Sequence, residues 1–91
     1  MEFEYDPWKS LVNADKHGID FIQAQALWED SKLWIVVAES QREPRLIARG
    51  KIKDRHWTAI YTLRGSVTRL ISVRRARREE IERYEKKERL D

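Results

Sequence analysis

The sequence predicts a single α+β domain, and three observations predict it. Apolar residues recur at helical spacing between residues 7 and 28, then alternate with polar ones in short runs between residues 33 and 74. From Ala76 onward the chain is almost all charge, in an order that suits a solvated helix. Ninety-one residues, 41% of them apolar, are enough for one modest core and too few for two.

Phe3-Glu4-Tyr5 alternates apolar and charged residues up to Asp6-Pro7, which predicts a strand of about four residues. Asp6 is the expected N-cap of a first helix, with Pro7 at the first helical position, where its missing N–H costs nothing. Trp8, Leu11 and Val12 fall at the spacing of one buried helical face, and Gly18 is expected to close the helix in the left-handed conformation. Asp20 opens a second helix. Gln23 is its capping-box partner, and Phe21, Ala24, Leu27 and Trp28 form its apolar stripe.

After Glu29-Asp30-Ser31 the period changes. Leu33 to Ala38 is a short β-branched run, expected to be a strand at least partly covered on both faces. Arg45 to Ile52 alternates, with Leu46, Ala48 and Ile52 on one face and Arg45, Ile47, Arg49 and Lys51 on the other. Trp57, Ala59, Tyr61 and Leu63 alternate with Thr58, Ile60 and Thr62, and Arg64-Gly65-Ser66 turns the chain into Val67 to Arg74. Short connections make these strands a four-stranded antiparallel meander. The four tryptophans stand at apolar positions, so at least three are expected in the core. In the closing helix Glu79/Arg83, Glu82/Lys86 and Glu85/Arg89 set acid before base at i, i+4. Only Ile81 and Tyr84 offer it an anchor, which predicts weak docking.

Without cysteine, neither a disulfide framework nor a thiolate zinc site is available, and the cytoplasm is the expected compartment. No apolar run approaches a membrane span, and the opening MEFEYD is unlike a secretion signal. The charge is polarised along the chain: residues 1–40 carry three lysines against eight acids, and residues 41–91 carry sixteen lysines and arginines against eight. A basic half of this kind suits a polyanion such as RNA or DNA.

The stretch Ile71-Ser-Val-Arg-Arg-Ala-Arg-Arg-Glu-Glu80 concentrates that charge. Simple alternation sets Arg69 with Val67, Ile71 and Val73, and Arg74 with Thr68, Leu70 and Ser72, so the two arginines are expected on opposite faces. Arg77 and Arg78 fall in a first helical turn, where the helix dipole disfavours cations and an anion or Glu79 and Glu80 would offset them. Lys16-His17 ends the first helix, where the dipole favours a cation, although His17 could also act as general acid or base. There is no metal-ligand spacing, no glycine-rich phosphate loop and no Ser/His/Asp arrangement, so neither cofactor nor metal is expected. An enzyme built from these residues would work mainly through lysine and arginine on a phosphate.

Phe3-x-Tyr-Asp6, Lys9, Asn13, Lys16-His17-Gly18-Ile19, Phe21 and Ala24 resemble the opening signature of the BrnT toxin family. Glu43-x-Arg45 before Gly50, Arg64-Gly65, Arg69-Leu-Ile-Ser72-Val-Arg74-Arg75-Ala76, and Glu80 with Tyr84 continue the same pattern, so the resemblance covers nearly the whole chain. It implies a type II toxin: a small metal-independent ribonuclease of RelE-like fold that inhibits translation. Its implied partners are an antitoxin with a ribbon-helix-helix domain, the RNA substrate and, through the antitoxin, operator DNA. Where the family usually has Ser, Thr or Asn after Arg-Arg-Ala, this chain has Arg77, which removes the expected N-cap hydroxyl. Carried onto RNA cleavage, the matched positions give Arg64, Arg74 and Arg75 as phosphate-stabilising groups, with Lys16 and His17 for proton transfer or RNA positioning. Arg45, Arg69, Arg77 and Arg78 would bind RNA. The competing reading is a non-catalytic basic protein that acts in a repressor complex with antitoxin and operator DNA.

Overall fold

The caps form as their chemistry dictates. The Asp6 carboxylate accepts from the N–H of Trp8 at 2.8 Å, α1 runs Pro7–His17, and Gly18 ends it at φ +77°. The computed structural model describes residues 1–38 and 43–90, with side chains as far as residue 87.

Five strands build one mixed sheet: β1 (Glu2–Glu4), β2 (Trp34–Ala38), β3 (Arg45–Ile52), β4 (Arg55–Arg64) and β5 (Val67–Arg75), ordered β1-β5-β4-β3-β2. Antiparallel pairing joins β2 to β3, β3 to β4 and β4 to β5, whereas β1 adds in parallel to the start of β5, with Glu2 opposite Val67 and Glu4 opposite Arg69. A 3₁₀ helix (Gln23–Glu29) lies between α1 and β2, and α2 (Arg78–Leu90) follows β5.

One face of the sheet holds the core. Ala48, Trp57, Ala59, Tyr61, Leu70 and Val73 pack against Phe21, Ala24 and Leu27, and Trp28 meets Phe3 and Tyr61 edge to face at 5.2 and 5.1 Å. β3 divides its residues between the faces as the alternation predicts. Gly50 leaves room at a crowded point, because a Cβ there would lie 2.9 Å from both Asp30 Oδ2 and Leu33 Cδ1, and one of these side chains would have to shift.

A bulge breaks simple alternation in β5. Ile60 pairs with Ser72 but Tyr61 pairs with Leu70, which leaves Ile71 without a partner. Leu70 and Val73, three residues apart, therefore both enter the core. The same offset brings Arg69 and Arg74 onto one face, the open one, and overturns the expectation that they point oppositely.

Other expectations are corrected as well. The buried side of α1 is Ser10 and Asn13, while Trp8 is 71% and Leu11 64% exposed, and Val12 is exposed too. The second helix is a 3₁₀ helix that starts at Gln23; its capping box is present, with Gln23 N–H donating to Asp20 Oδ1 at 2.7 Å and Asp20 N–H to Gln23 Oε1 at 3.0 Å. β2 is an edge strand with Ile35 and Val37 exposed, so its apolar run does not mark two covered faces. Of the tryptophans, Trp57 is buried and Trp28 packs against the core, but Trp34 is half-buried on the open face and Trp8 lies outside. The number expected in the core was therefore too high. On α2, Glu80 and Tyr84 are buried where Ile81 and Tyr84 were expected. One surface ion pair of α2 is Arg78–Glu82 at 3.6 Å, base before acid, and the Arg89 side chain of the expected Glu85/Arg89 pair lies outside the described residues.

A candidate active-site cleft beside helix one

β1 ends opposite Arg69, so the far half of the β5 edge lacks a neighbouring strand. The Asn13 amide serves in its place. Its Oδ1 accepts from the Val73 N–H at 3.1 Å, and its Nδ2 donates to the carbonyls of Val73 and Ile19, both at 2.8 Å. The Phe21 N–H donates to Ser10 Oγ at 2.9 Å. These bonds satisfy buried backbone groups and fix the rotation of α1, polar side inward. The flank of α1 that carries Lys9, Lys16 and His17 then faces the bulge. Between them lies a cleft of ≈ 340 Å³, lined by Trp8, Lys9, Val12, Asn13, Lys16 and His17 from α1 and by Ile71 and Ser72 from β5.

Farther along the same face of the sheet, Glu80 is the hub of an ionic cluster. It is 5% exposed and takes Arg74 in a fork, with Nη1 at 2.8 Å and Nη2 at 3.0 Å. Arg49 Nη2 stands 3.3 Å from it, with its guanidinium over the Trp34 ring at 5.6 Å, and Thr58 Oγ1 donates at 3.2 Å. Glu80 also accepts from the Arg77 N–H at 2.7 Å, and the Ile81 N–H bonds the Arg77 carbonyl. Arg77 is thus the N-cap, and Glu80 reaches back to cap it from the third helical position, in place of the missing hydroxyl. Burial by itself would raise the Glu80 pKa. The bonds from Arg74 and Arg77, the Arg74 charge and Thr58 outweigh burial and bring it to about 2. Arg74 is raised in turn, first by its bond to Glu80.

A second carboxylate anchors α2 one turn after Glu80. Tyr84 donates to Asp30 Oδ2 at 2.7 Å, and the N–H groups of Lys51 and Lys32 each donate to that carboxylate at 2.8 Å. Burial acts to raise the Asp30 pKa, and these bonds with the Lys51 charge hold it lower. The docking of α2 is therefore polar.

The expected site residues are dispersed. Lys16 and His17 line the cleft. Arg74 shares a face with Ser72 but is held by Glu80; Arg69 is on that face too and pairs with Glu4 at 3.2 Å. Arg64 ends β4 at the hairpin, 4.0 Å from Glu43, and Arg45 is exposed at the start of β3. Arg75 turns to the opposite face, its guanidinium over the Trp57 ring at 5.5 Å. Arg77 and Arg78 are exposed at the start of α2. Arg74 and Arg75, adjacent in sequence, lie against opposite faces of the sheet.

Sequence reasoning places Lys9, Ser72 and Glu80 outside the candidate site and reads the tryptophans, Trp8 among them, as core first and base-stacking groups second. Lys9 and Lys16 are seven apart, about two helical turns, and that spacing was the available signal for a shared face. No local signal marked Ser72, which faces the cleft through the bulge. Two larger clefts contain no such set. One of ≈ 530 Å³ mixes Lys53 and Arg55 with Asp54, and one of ≈ 570 Å³ sets Lys32, Lys51 and Lys53 beside the carboxylates of Glu29 and Asp30. Among the described residues no group of three or more His, Cys, Asp or Glu could hold a metal ion, and no helix is long and apolar enough to cross a membrane.

A search of curated proteins found no match. The family model described as the ribonuclease toxin BrnT of type II toxin-antitoxin systems matches residues 5–80, from just before the α1 cap to the Glu80 hub. The chain accordingly belongs to the BrnT family of type II toxin-antitoxin ribonuclease toxins.

Proposed function

We propose that this protein is a metal-independent endoribonuclease of RelE-like fold whose reaction takes place in the cleft between α1 and β5. The observation that carries the reading is the gathering of Lys9, Lys16 and His17 around Ser72 in one depression. In the reaction the ribose 2′-hydroxyl attacks the adjacent phosphorus. The new 2′-O–P bond forms as the P–O5′ bond breaks, leaving a 2′,3′-cyclic phosphate and a 5′-hydroxyl. One proton leaves the 2′-oxygen and one reaches O5′. His17 is suited to proton transfer, and the Lys9 and Lys16 ammonium groups to the charge on the phosphoryl oxygens. Amines and an imidazole supply that chemistry without a metal.

The arginines take outer roles in this reading. Arg69 and Arg74 lie on the open face that continues from the cleft, where their remaining N–H groups steer the RNA backbone, with Arg45 and Arg64 farther along. Arg75, Arg77 and Arg78 bind flanking RNA near the start of α2. Neutralisation is by an antitoxin carrying a ribbon-helix-helix domain, the pair together binding operator DNA, and the site of action is the cytoplasm.

The test is cleavage of RNA by purified protein in EDTA. His17→Ala and Lys16→Ala should each lower the rate by about 10²-fold or more at unchanged unfolding midpoint. The engagement of Arg74 by Glu80 and of Arg69 by Glu4 favours the second reading, a non-catalytic protein of a repressor complex. Intact RNA after incubation with folded wild-type chain, alongside tight antitoxin and operator binding, would establish that reading instead.

A further inference from the structure

Trp8 has a position that packing does not account for. Its helix is anchored by Ser10 and Asn13 on the opposite side, and the indole stands 71% exposed at the mouth of the cleft. Single exposed apolar residues are ordinary. This one shares its cleft with Lys9, Lys16 and His17, and no carboxylate is among the described residues that line it.

A free aromatic face beside cations is how proteins grip single-stranded nucleic acid: a base stacks on the ring while the cations take phosphates. The mount is rigid. The Asp6 carboxylate caps the helix at the Trp8 N–H itself, and Asn13 ties the next turns to β5. An indole on such a mount loses little conformational freedom when a ligand arrives. The absence of acidic lining favours a polyanion over an apolar protein surface as occupant. Leu11 supplies the internal comparison, since it is 64% exposed on the same helix but does not line the cleft.

We propose that Trp8 is the nucleobase-stacking residue of the cleft, holding one base of the RNA while Lys9 and Lys16 engage its backbone. The proposal rests on the ribonuclease reading of this cleft and deepens it. The grip acts on the π face that all four bases share, so it orients the strand with little preference for sequence.

The experiment compares a mixed-sequence RNA oligonucleotide carrying 2′-O-methyl riboses, which blocks attack, with an abasic oligonucleotide of equal length and charge. Wild-type protein should bind the base-bearing strand about 10-fold tighter, and Trp8→Ala should bind both alike. Trp8→Phe should keep most of the preference, and Leu11→Ala all of it. On cleavable RNA, Trp8→Ala should raise KM more than it lowers kcat. Wild-type preference for bases in Trp8→Ala would overturn the proposal, even if that variant bound antitoxin more weakly; the indole would then belong to the protein partner. If wild type cleaves RNA and Trp8→Ala matches it in KM, the stacking role alone fails. If wild type neither binds nor cleaves RNA, the ribonuclease reading falls and this proposal with it.

Discussion

The two faces of the sheet are held by different physics. The packed face is apolar, with Leu27, Phe21 and Ala24 set against Ala59, Leu70 and Val73, and it is held by many weak, undirected contacts. The open face is organised around one carboxylate. Glu80 joins β3, β4, β5 and the start of α2 through Arg49, Thr58, Arg74 and Arg77. A buried charge network of this kind is worth little over an apolar equivalent but costs much when one partner is removed. Its bonds are directional, so it sets the orientation of Arg74 and Arg49 on this face.

Breaking that network should give the largest effect. Glu80→Ala leaves Arg74 and Arg49 without their counter-charge and should cost about 3–5 kcal/mol in denaturant unfolding. Combining Glu80→Leu with Arg74→Met and Arg49→Leu should recover much of the loss, and failure to recover it would show that packing, not charge, dominates this face.

Acid should then separate the faces without mutation. The Glu80 pKa of about 2 lies below its ordinary 4.5, so the native state favours the ionised carboxylate. Its contribution, roughly 3 kcal/mol, is whole above pH 4.5 and fades as pH falls toward 2. Asp30 is lowered as well and adds in the same direction. Unfolding followed at stepped pH should show this loss in wild type and a flatter profile in Glu80→Gln.

Asn13→Ala removes three bonds and leaves the Val73 N–H and carbonyl buried, so about 2 kcal/mol should be lost. Hydrogen exchange at Val73 should quicken with it. Smallest of all, Trp8→Ala should move stability by less than about 0.5 kcal/mol, because an exposed side chain away from packing contributes little. A larger loss would mean that the outward side of α1 is packed after all.

Local chemistry was legible in the residues themselves. Asp6-Pro7, Gly18, the Asp20/Gln23 box and the two faces of β3 each depend on groups within a few residues of one another, and each is found in the fold. Of the candidate site residues, Lys16 and His17 line one cleft, whereas Arg74 and Arg75 part to opposite faces, which their adjacency in the sequence does not reveal.

Capping, strand alternation, the basic bias of the second half and the family to which the chain belongs can therefore be read from the residues in order. Only the tertiary structure decided which side of α1 is buried, because that depends on a free strand edge sixty residues away that one asparagine can satisfy. It also decided the bulge at Ile71, which turns Arg69 and Arg74 to one face, and the burial of Glu80, whose four partners come from four separate segments. Hydrophobic spacing counts residues along one element, whereas an unsatisfied edge or a buried charge is settled by whatever the rest of the chain brings beside it.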